Sequence, residues 1–171
     1  MIQYEVKDFP ENGLEATGED VTVHVPAGTP WRIYKLYGDK DGSIIVEGRG
    51  NGNADRAGSG NGSAWRFGSG DGSAVRFGSG DGHAWRFGSG DGSAVRAGSG
   101  NGSAWRFGDG EGDAWRADSG DGSAWRAGSG DGNADRSGEG DGHAVRADSG
   151  KGSAFRDGDG EGDAYIKGVK Q

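Results

Sequence analysis

From residue 51 onward, large apolar, small and polar side chains recur every ten residues without a slip. The consensus is D/N-G-S-A-W/V-R-F/A-G-S-G, and residues 51–160 hold eleven full copies. The centre, S-A-W-R-F, alternates and carries strand-forming residues, which favours a short strand. The G-S-G-D-G junction favours a tight turn, because glycine adopts positive φ without strain. We therefore predict one strand and one turn per repeat.

Residues 1–46 lie outside this pattern and have ordinary composition. VTVHV (residues 21–25) and WRIYKLY (residues 31–37) are predicted strands, separated by the turn PAGTP. We expect residues 1–46 to form a small β cap over the open end of a repeat domain spanning 47–171. The last block replaces the repeat's arginine by Ile166, and atypical end copies are typical of repeat arrays.

The ten-residue period fits an antiparallel meander or a β-solenoid, in which identical positions stack at about 4.8 Å. A ten-residue coil is too thin to enclose tryptophan, so we favour two repeats per coil. Large residues on one sheet then face small ones, such as Val75 and Val95, on the other. The predicted fold is an all-β, glycine-rich β-solenoid with a core aromatic ladder. That ladder consists of Trp65, Trp85, Trp105 and Trp125.

The opposite polarity would place glycine and alanine inside and tryptophan outside, and it explains better why the alanine never varies. It would also turn eleven arginines inward without a matching acid, which we take as the greater cost. We therefore predict an outward arginine ladder as a candidate binding surface. Asp55 and Asp135 occupy the tryptophan position and count against this choice, since a buried unpaired carboxylate is costly. The candidate binding residues are Arg66, Arg76, Arg86, Arg96, Arg106, Arg116 and Arg126.

Composition narrows the classes of function. The chain has no cysteine, which excludes disulfides and thiolate metal sites. Its formal charge of −8 disfavours binding to nucleic acid or to anionic membranes. We see no secretory signal and no membrane-spanning stretch, and we expect a protein partner or self-association.

The acidic turns are candidate calcium ligands, because hard cations prefer oxygen ligands. The turns are similar to the glycine-rich nonapeptide repeats of RTX proteins, although the period here is ten. The simpler interpretation is that Asp and Asn stabilise turns, so we predict no bound cofactor and keep calcium as the alternative. The calcium candidates are Asp109, Glu111, Asp113, Asp157, Asp159, Glu161 and Asp163.

Catalysis has little support in the sequence. The three histidines are His24, His83 and His143, and the last two replace the repeat's serine. The sequence shows no pairing of a nucleophile with a base, and no G-x-G motif precedes a predicted helix as a nucleotide-binding loop does. We expect neither an enzyme nor a small-molecule substrate.

The stretch GSGDGSAVRFGSGDGHAWR resembles glycine-rich decapeptide repeats of small proteins encoded by actinobacterial phages, mycobacteriophages especially. The resemblance covers residues 51–165. It implies location in the cytoplasm of an infected bacterium, and an effector that binds a host protein. The alternative that it implies is a virion or fibre component.

Overall fold

The computed structural model describes residues 1–117, 119–147 and 149–167 and is an all-β solenoid. Odd-numbered strands form a nine-stranded sheet, which we call sheet A, and even-numbered strands form the eight-stranded sheet B. The strands, in chain order, are β1 (Ile2–Glu5), β2 (Leu14–Glu15), β3 (Val21–His24), β4 (Ile33–Tyr37), β5 (Ile44–Glu47), β6 (Asn53–Ala57), β7 (Ala64–Phe67), β8 (Ala74–Phe77), β9 (Ala84–Phe87), β10 (Ala94–Ala97), β11 (Ala104–Phe107), β12 (Ala114–Ala117), β13 (Ala124–Ala127), β14 (Ala134–Ser137), β15 (Ala144–Ala147), β16 (Ala154–Asp157) and β17 (Ala164–Lys167).

The register confirms the predicted solenoid and its twenty-residue coil. All neighbouring strands pair in parallel, and Trp65 lies beside Trp85 in sheet A, one coil further on. Val75 lies beside Val95 in sheet B. One decapeptide therefore supplies one strand, and two successive decapeptides complete a coil.

The first 46 residues continue the same two sheets. Val21 pairs with Ile44, which pairs with Ala64, and Tyr34 pairs with Ala54. A 3-10 turn at Val6–Asp8 leads into Phe9, whose ring lies edge-on to that of Tyr34. The predicted boundary at residue 46 thus marks a change in the interior, from large apolar side chains to alanine and arginine. The far end of the predicted repeat domain, residues 168–171, lies outside the described residues.

The polarity of the strands is the reverse of our prediction. Repeat positions four and six, alanine and arginine, point into the solenoid, and positions three, five and seven point outward. The arginines predicted to face solvent are fully buried, and the tryptophans predicted to form the core lie on the surface. The buried arginines, each at most 1% exposed, are Arg56, Arg66, Arg76, Arg86, Arg96, Arg106, Arg116, Arg126, Arg136 and Arg146.

Backbone carbonyls explain how this interior accepts cations. Arg86 donates from Nε to the carbonyl of Gly72 at 2.8 Å and from Nη1 to that of Gly68 at 3.2 Å. Its Nη2 donates to the carbonyls of Gly70 at 3.1 Å and Gly90 at 2.7 Å. Five-donor guanidinium groups suit such a cage, and charged hydrogen bonds are the stronger class. Each coil therefore binds the arginine of the next through its glycine carbonyls.

The glycines are required because successive turns lie in direct contact. Gly88 has φ of +128°, and a Cβ there would overlap the carbonyl oxygen of Gly68 in the coil before. At Gly82, a Cβ would approach Nε of Arg76 to 2.6 Å. Any side chain at these positions would separate the coils or displace the guanidinium.

Candidate functional site

The main feature of the surface is a strip of stacked aromatic rings on sheet A, which we call the aromatic strip. Trp65, Trp85, Trp105 and Trp125 stack at successive centroid distances of 5.0 Å, with interplanar angles of 3° to 6°. A second column, formed by Phe67, Phe87 and Phe107, runs beside it at 5.4 and 5.1 Å. All seven rings are half-buried, since each covers part of the next.

Strand geometry explains the regularity of the strip. Parallel pairing places identical repeat positions side by side at about 4.8 Å, and period-two alternation keeps positions five and seven on one face. The tryptophan and phenylalanine columns also touch, with Trp85 and Phe87 centroids 5.7 Å apart. Because each ring is held on both sides by neighbours, the strip is rigid before anything binds it.

Among the described residues, the outer face of sheet B carries no such strip. Its position-five residues, read along β6 to β16, are Asp55, Val75, Val95, Trp115, Asp135 and Phe155. Trp115 and Phe77 are exposed but have no stacked ring neighbour among the described residues. The two faces of one solenoid therefore differ in the variable positions alone.

The outward direction of position five explains why the repeats tolerate Asp55 and Asp135 there. Both lie on the outer face of sheet B rather than in the interior. Partial burial nevertheless raises the pKa of Asp55 to about 6, against the opposing effect of Lys35. Burial, and then Asp113, raises the pKa of Asp135. Both residues are only partly buried, although Oδ1 of Asp55 is buried and has no hydrogen-bond partner among the described residues.

Two rows of exposed side chains, all carboxylates except Asn101, line the corners between the sheets, and we call them the acidic rows. In both rows, most first-position side chains accept a hydrogen bond from the backbone N–H of the residue twenty positions later, as Asp71 does from Asp91 at 3.0 Å. Asp81 accepts likewise from Asn101 at 2.7 Å. The members are Asp71, Asp91, Glu111 and Asp131 in one row and Asp81, Asn101, Asp121 and Asp141 in the other, and all are exposed. The repeat's Asp or Asn is thus explained as a connection between coils.

Position three forms a similar column of acceptors. Ser63 Oγ accepts from the backbone N–H of His83 at 3.0 Å, and His83 Nδ1 accepts from Ser103 at the same distance. Histidine therefore replaces serine without losing the acceptor. This bond requires an unprotonated Nδ1, in agreement with the lowered pKa of His83, which burial and then Arg96 cause.

The predicted calcium ligands have hydrogen-bonded roles of the same kind. Asp109 accepts from the hydroxyl of Ser129 at 2.9 Å, and Asp113 accepts from the N–H of Asn133 at 2.7 Å. Asp163 accepts from the hydroxyl of Tyr165 at 2.7 Å. Within residues 1–117, 119–147 and 149–167, no three carboxylate or histidine side chains come together as metal ligands. Calcium binding stays an untested prediction. The other candidates for this role are Glu111, Asp157, Asp159 and Glu161.

Comparison of the chain with family models, with curated proteins and with solved structures found no match. No helix in the described part of the chain is long and apolar enough to span a membrane. Function must therefore be argued from the surface itself. Sequence reasoning missed the aromatic strip as a surface, although position five already carried the signal in Asp55 and Asp135.

Proposed function

We propose that this protein is a rigid protein-binding module whose docking surface is the aromatic strip of sheet A. The observation that carries the proposal is the position of the tryptophans. Alanine and arginine fill the interior, so the largest apolar side chains of the repeats lie on the outside, and four of the five repeat tryptophans lie on sheet A. Aromatic residues are enriched at protein interfaces, and contiguous exposed apolar surface is a mark of binding sites.

The size of the face suits a protein partner. Seven strands of sheet A, from β5 to β17, lie at about 4.8 Å spacing and present roughly 15 Å of outer face each, so roughly 500 Å² is available. This is smaller than the ~800 Å² per partner of a standard interface, which predicts a partner that also contacts the flanking corners. Stacked rings lose little conformational entropy on binding, because they are already held in place.

Small aromatic-binding ligands fit the strip less well. Sugars and nucleobases stack on ring faces, and here each inner tryptophan presents its faces to the rings of adjacent coils. Nε1 of Trp85 and of Trp105 is also buried and without a hydrogen-bond partner. A partner would instead contact the outer edges of many rings at once, as a protein surface does.

The test uses a substitution that the repeat itself contains. Trp85→Val with Trp105→Val places at position five the residue found at Val75, Val95 and Val145. The matched control is Trp115→Val on sheet B. We expect both variants to keep the far-ultraviolet spectrum of the parent. Pulldown from lysate of a mycobacterial host should lose a specific band with the sheet A pair and keep it with the control. Equal retention by all three proteins would contradict the role of the strip.

The resemblance to phage repeats supports the setting of this proposal. An effector in the cytoplasm of an infected bacterium would act on a host protein, by binding without chemistry. The matched variants address that setting directly, because the same pulldown identifies the host protein by mass spectrometry. A band seen with the control and lost with the sheet A pair is then the partner.

A further inference from the structure

From the charges around the aromatic strip we infer that its partner is a basic amphipathic helix lying along the solenoid axis. This inference rests on the proposed function and specifies the chemistry of the partner. Between Arg49 and Lys151 the strip has no accessible cation beside it, it has an acidic row on each side, and its face has the dimensions of a short helix.

The arginine burial removes cations from the exterior of the repeats. Every lysine or arginine between Arg49 and Lys151 is a position-six arginine. All of these are at most 1% exposed. The buried arginines still weaken the electrostatic field at long range, because that field follows the net charge of the protein. At short range, the charged groups that a partner meets on this surface are carboxylates.

The carboxylates flank the strip on both sides. Strand β9 is preceded by Asp81, in one acidic row, and followed by Asp91, in the other. Two ion pairs occur within the described parts of the chain, Met1 with Glu19 and His24 with Glu47, and neither involves an acidic row. The row carboxylates still interact with the interior at longer range, since Asp71 and Asp91 oppose the lowering of the Arg86 pKa. They make no salt bridge within the described residues, so a cation of a partner can approach them directly.

The dimensions fit a helix. The tryptophan column spans three steps of 5.0 Å. That length, about 15 Å, matches about ten residues of α-helix at ~1.5 Å per residue. Across the strip, the four residues of strand β9 span about 13 Å at about 3.3 Å per extended residue, and the two rows lie beyond its two ends. A helix is about 10–12 Å wide, so lysine or arginine side chains on its two flanks extend towards the two rows.

The recognition we infer is thus an apolar helix stripe on the rings, with basic flanks opposite the acidic rows. The helix-in-groove mode uses the same division of anchors and flanks. An acidic helix would be repelled by the acidic rows, and a neutral helix would gain no electrostatic attraction from them.

The test uses the full chain and three designed 18-residue peptides. The first has leucines on one helical stripe and lysines on both flanks, the second has glutamates in place of the lysines, and the third is a scramble of the first. Binding is measured by fluorescence anisotropy of labelled peptide. We expect the lysine peptide to bind at least tenfold more tightly than the other two, and its affinity to fall as salt rises. Equal affinity for the scramble would overturn the inference.

Two variants separate this inference from the proposed function. The first combines Asp71→Asn, Asp81→Asn, Asp91→Asn and Asp121→Asn, which keeps the acceptor that Asn51, Asn61 and Asn101 already provide. The second is the Trp85→Val, Trp105→Val pair. We expect each to weaken lysine-peptide binding at least tenfold. Loss with the tryptophan pair alone would overturn the basic helix and leave the docking surface, whereas loss with the asparagine set alone would overturn both.

The oligomeric state is the last arm of the test. The free chain should sediment as a monomer that the lysine peptide does not change. A dimer that dissociates in the tryptophan pair would show that a second copy covers the strip, and would overturn the helix as its occupant.

Discussion

Replacing a single interior arginine tests the cage of glycine carbonyls directly. In Arg86→Met the side chain stays long and apolar, but four hydrogen bonds to carbonyls are lost. The carbonyls of Gly70 and Gly90 retain donors from Arg66 and Arg106, at 3.1 Å in each case. Those of Gly68 and Gly72 have no second side-chain donor among the described residues. The Gly72 carbonyl is buried, whereas the Gly68 carbonyl is only partly buried and can be reached by water. A buried acceptor without a partner costs about 1–3 kcal/mol, so we expect a loss of at least about 1–3 kcal/mol.

An ordinary buried ion pair gives a different expectation. Apolar replacement of both partners there is often neutral or stabilising, whereas here the acceptors belong to the backbone and remain. Arg156→Met is the matched control, because Arg156 lies in the second-last described strand and is partly exposed, so water can replace it. Urea unfolding followed by circular dichroism measures both variants. A loss at residue 86 no larger than at residue 156 would refute the cage.

Three further predictions concern titration and the coil. His83→Ser should remove a sensitivity to acid. Because the pKa of His83 is lowered in the folded chain, its stabilisation is complete above about pH 6.5 and is lost as pH falls. The melting temperature should therefore differ more between pH 5 and pH 7 in the parent than in the variant. The pKa of Asp55 is raised to about 6, so its ionised form destabilises the folded chain at pH 7 and not at pH 4. Asp55→Val should therefore raise the free energy of unfolding at pH 7 by about 3 kcal/mol at most, and change it little at pH 4. Deleting residues 71–80 should leave a folded solenoid, since both sheets share one interior, but it should place Trp85 on sheet B. Deleting residues 71–90 should keep the tryptophan column on sheet A. Near-ultraviolet circular dichroism, which reports the stacking of the tryptophans, distinguishes the two deletions. An unfolded 71–80 deletion would show that the sheets are not interchangeable inside.

The sequence predicted the solenoid, the parity of the coil and the tryptophan column, because all three follow from period and alternation. It misplaced the inside and the outside. The groups that solvate the Arg86 guanidinium are glycine carbonyls, and a sequence pattern does not show where backbone carbonyls point. Two features of the sequence indicated the correct polarity. They are the aspartates at positions 55 and 135 and the fixed glycines at positions two and ten of each repeat. Together they indicate an interior built from backbone and an exterior free to change.

The separation of a fixed interior from a variable exterior has an evolutionary consequence. Alanine, arginine and glycine recur because the fold needs them, while positions three, five, seven and nine differ from copy to copy. A duplication of a single repeat would lengthen the rod by half a coil and exchange the faces of everything after it. A duplication of two repeats would lengthen each face and keep its content. Changes in repeat number can therefore create or erase a binding face in one genetic event, without a new core having to be found.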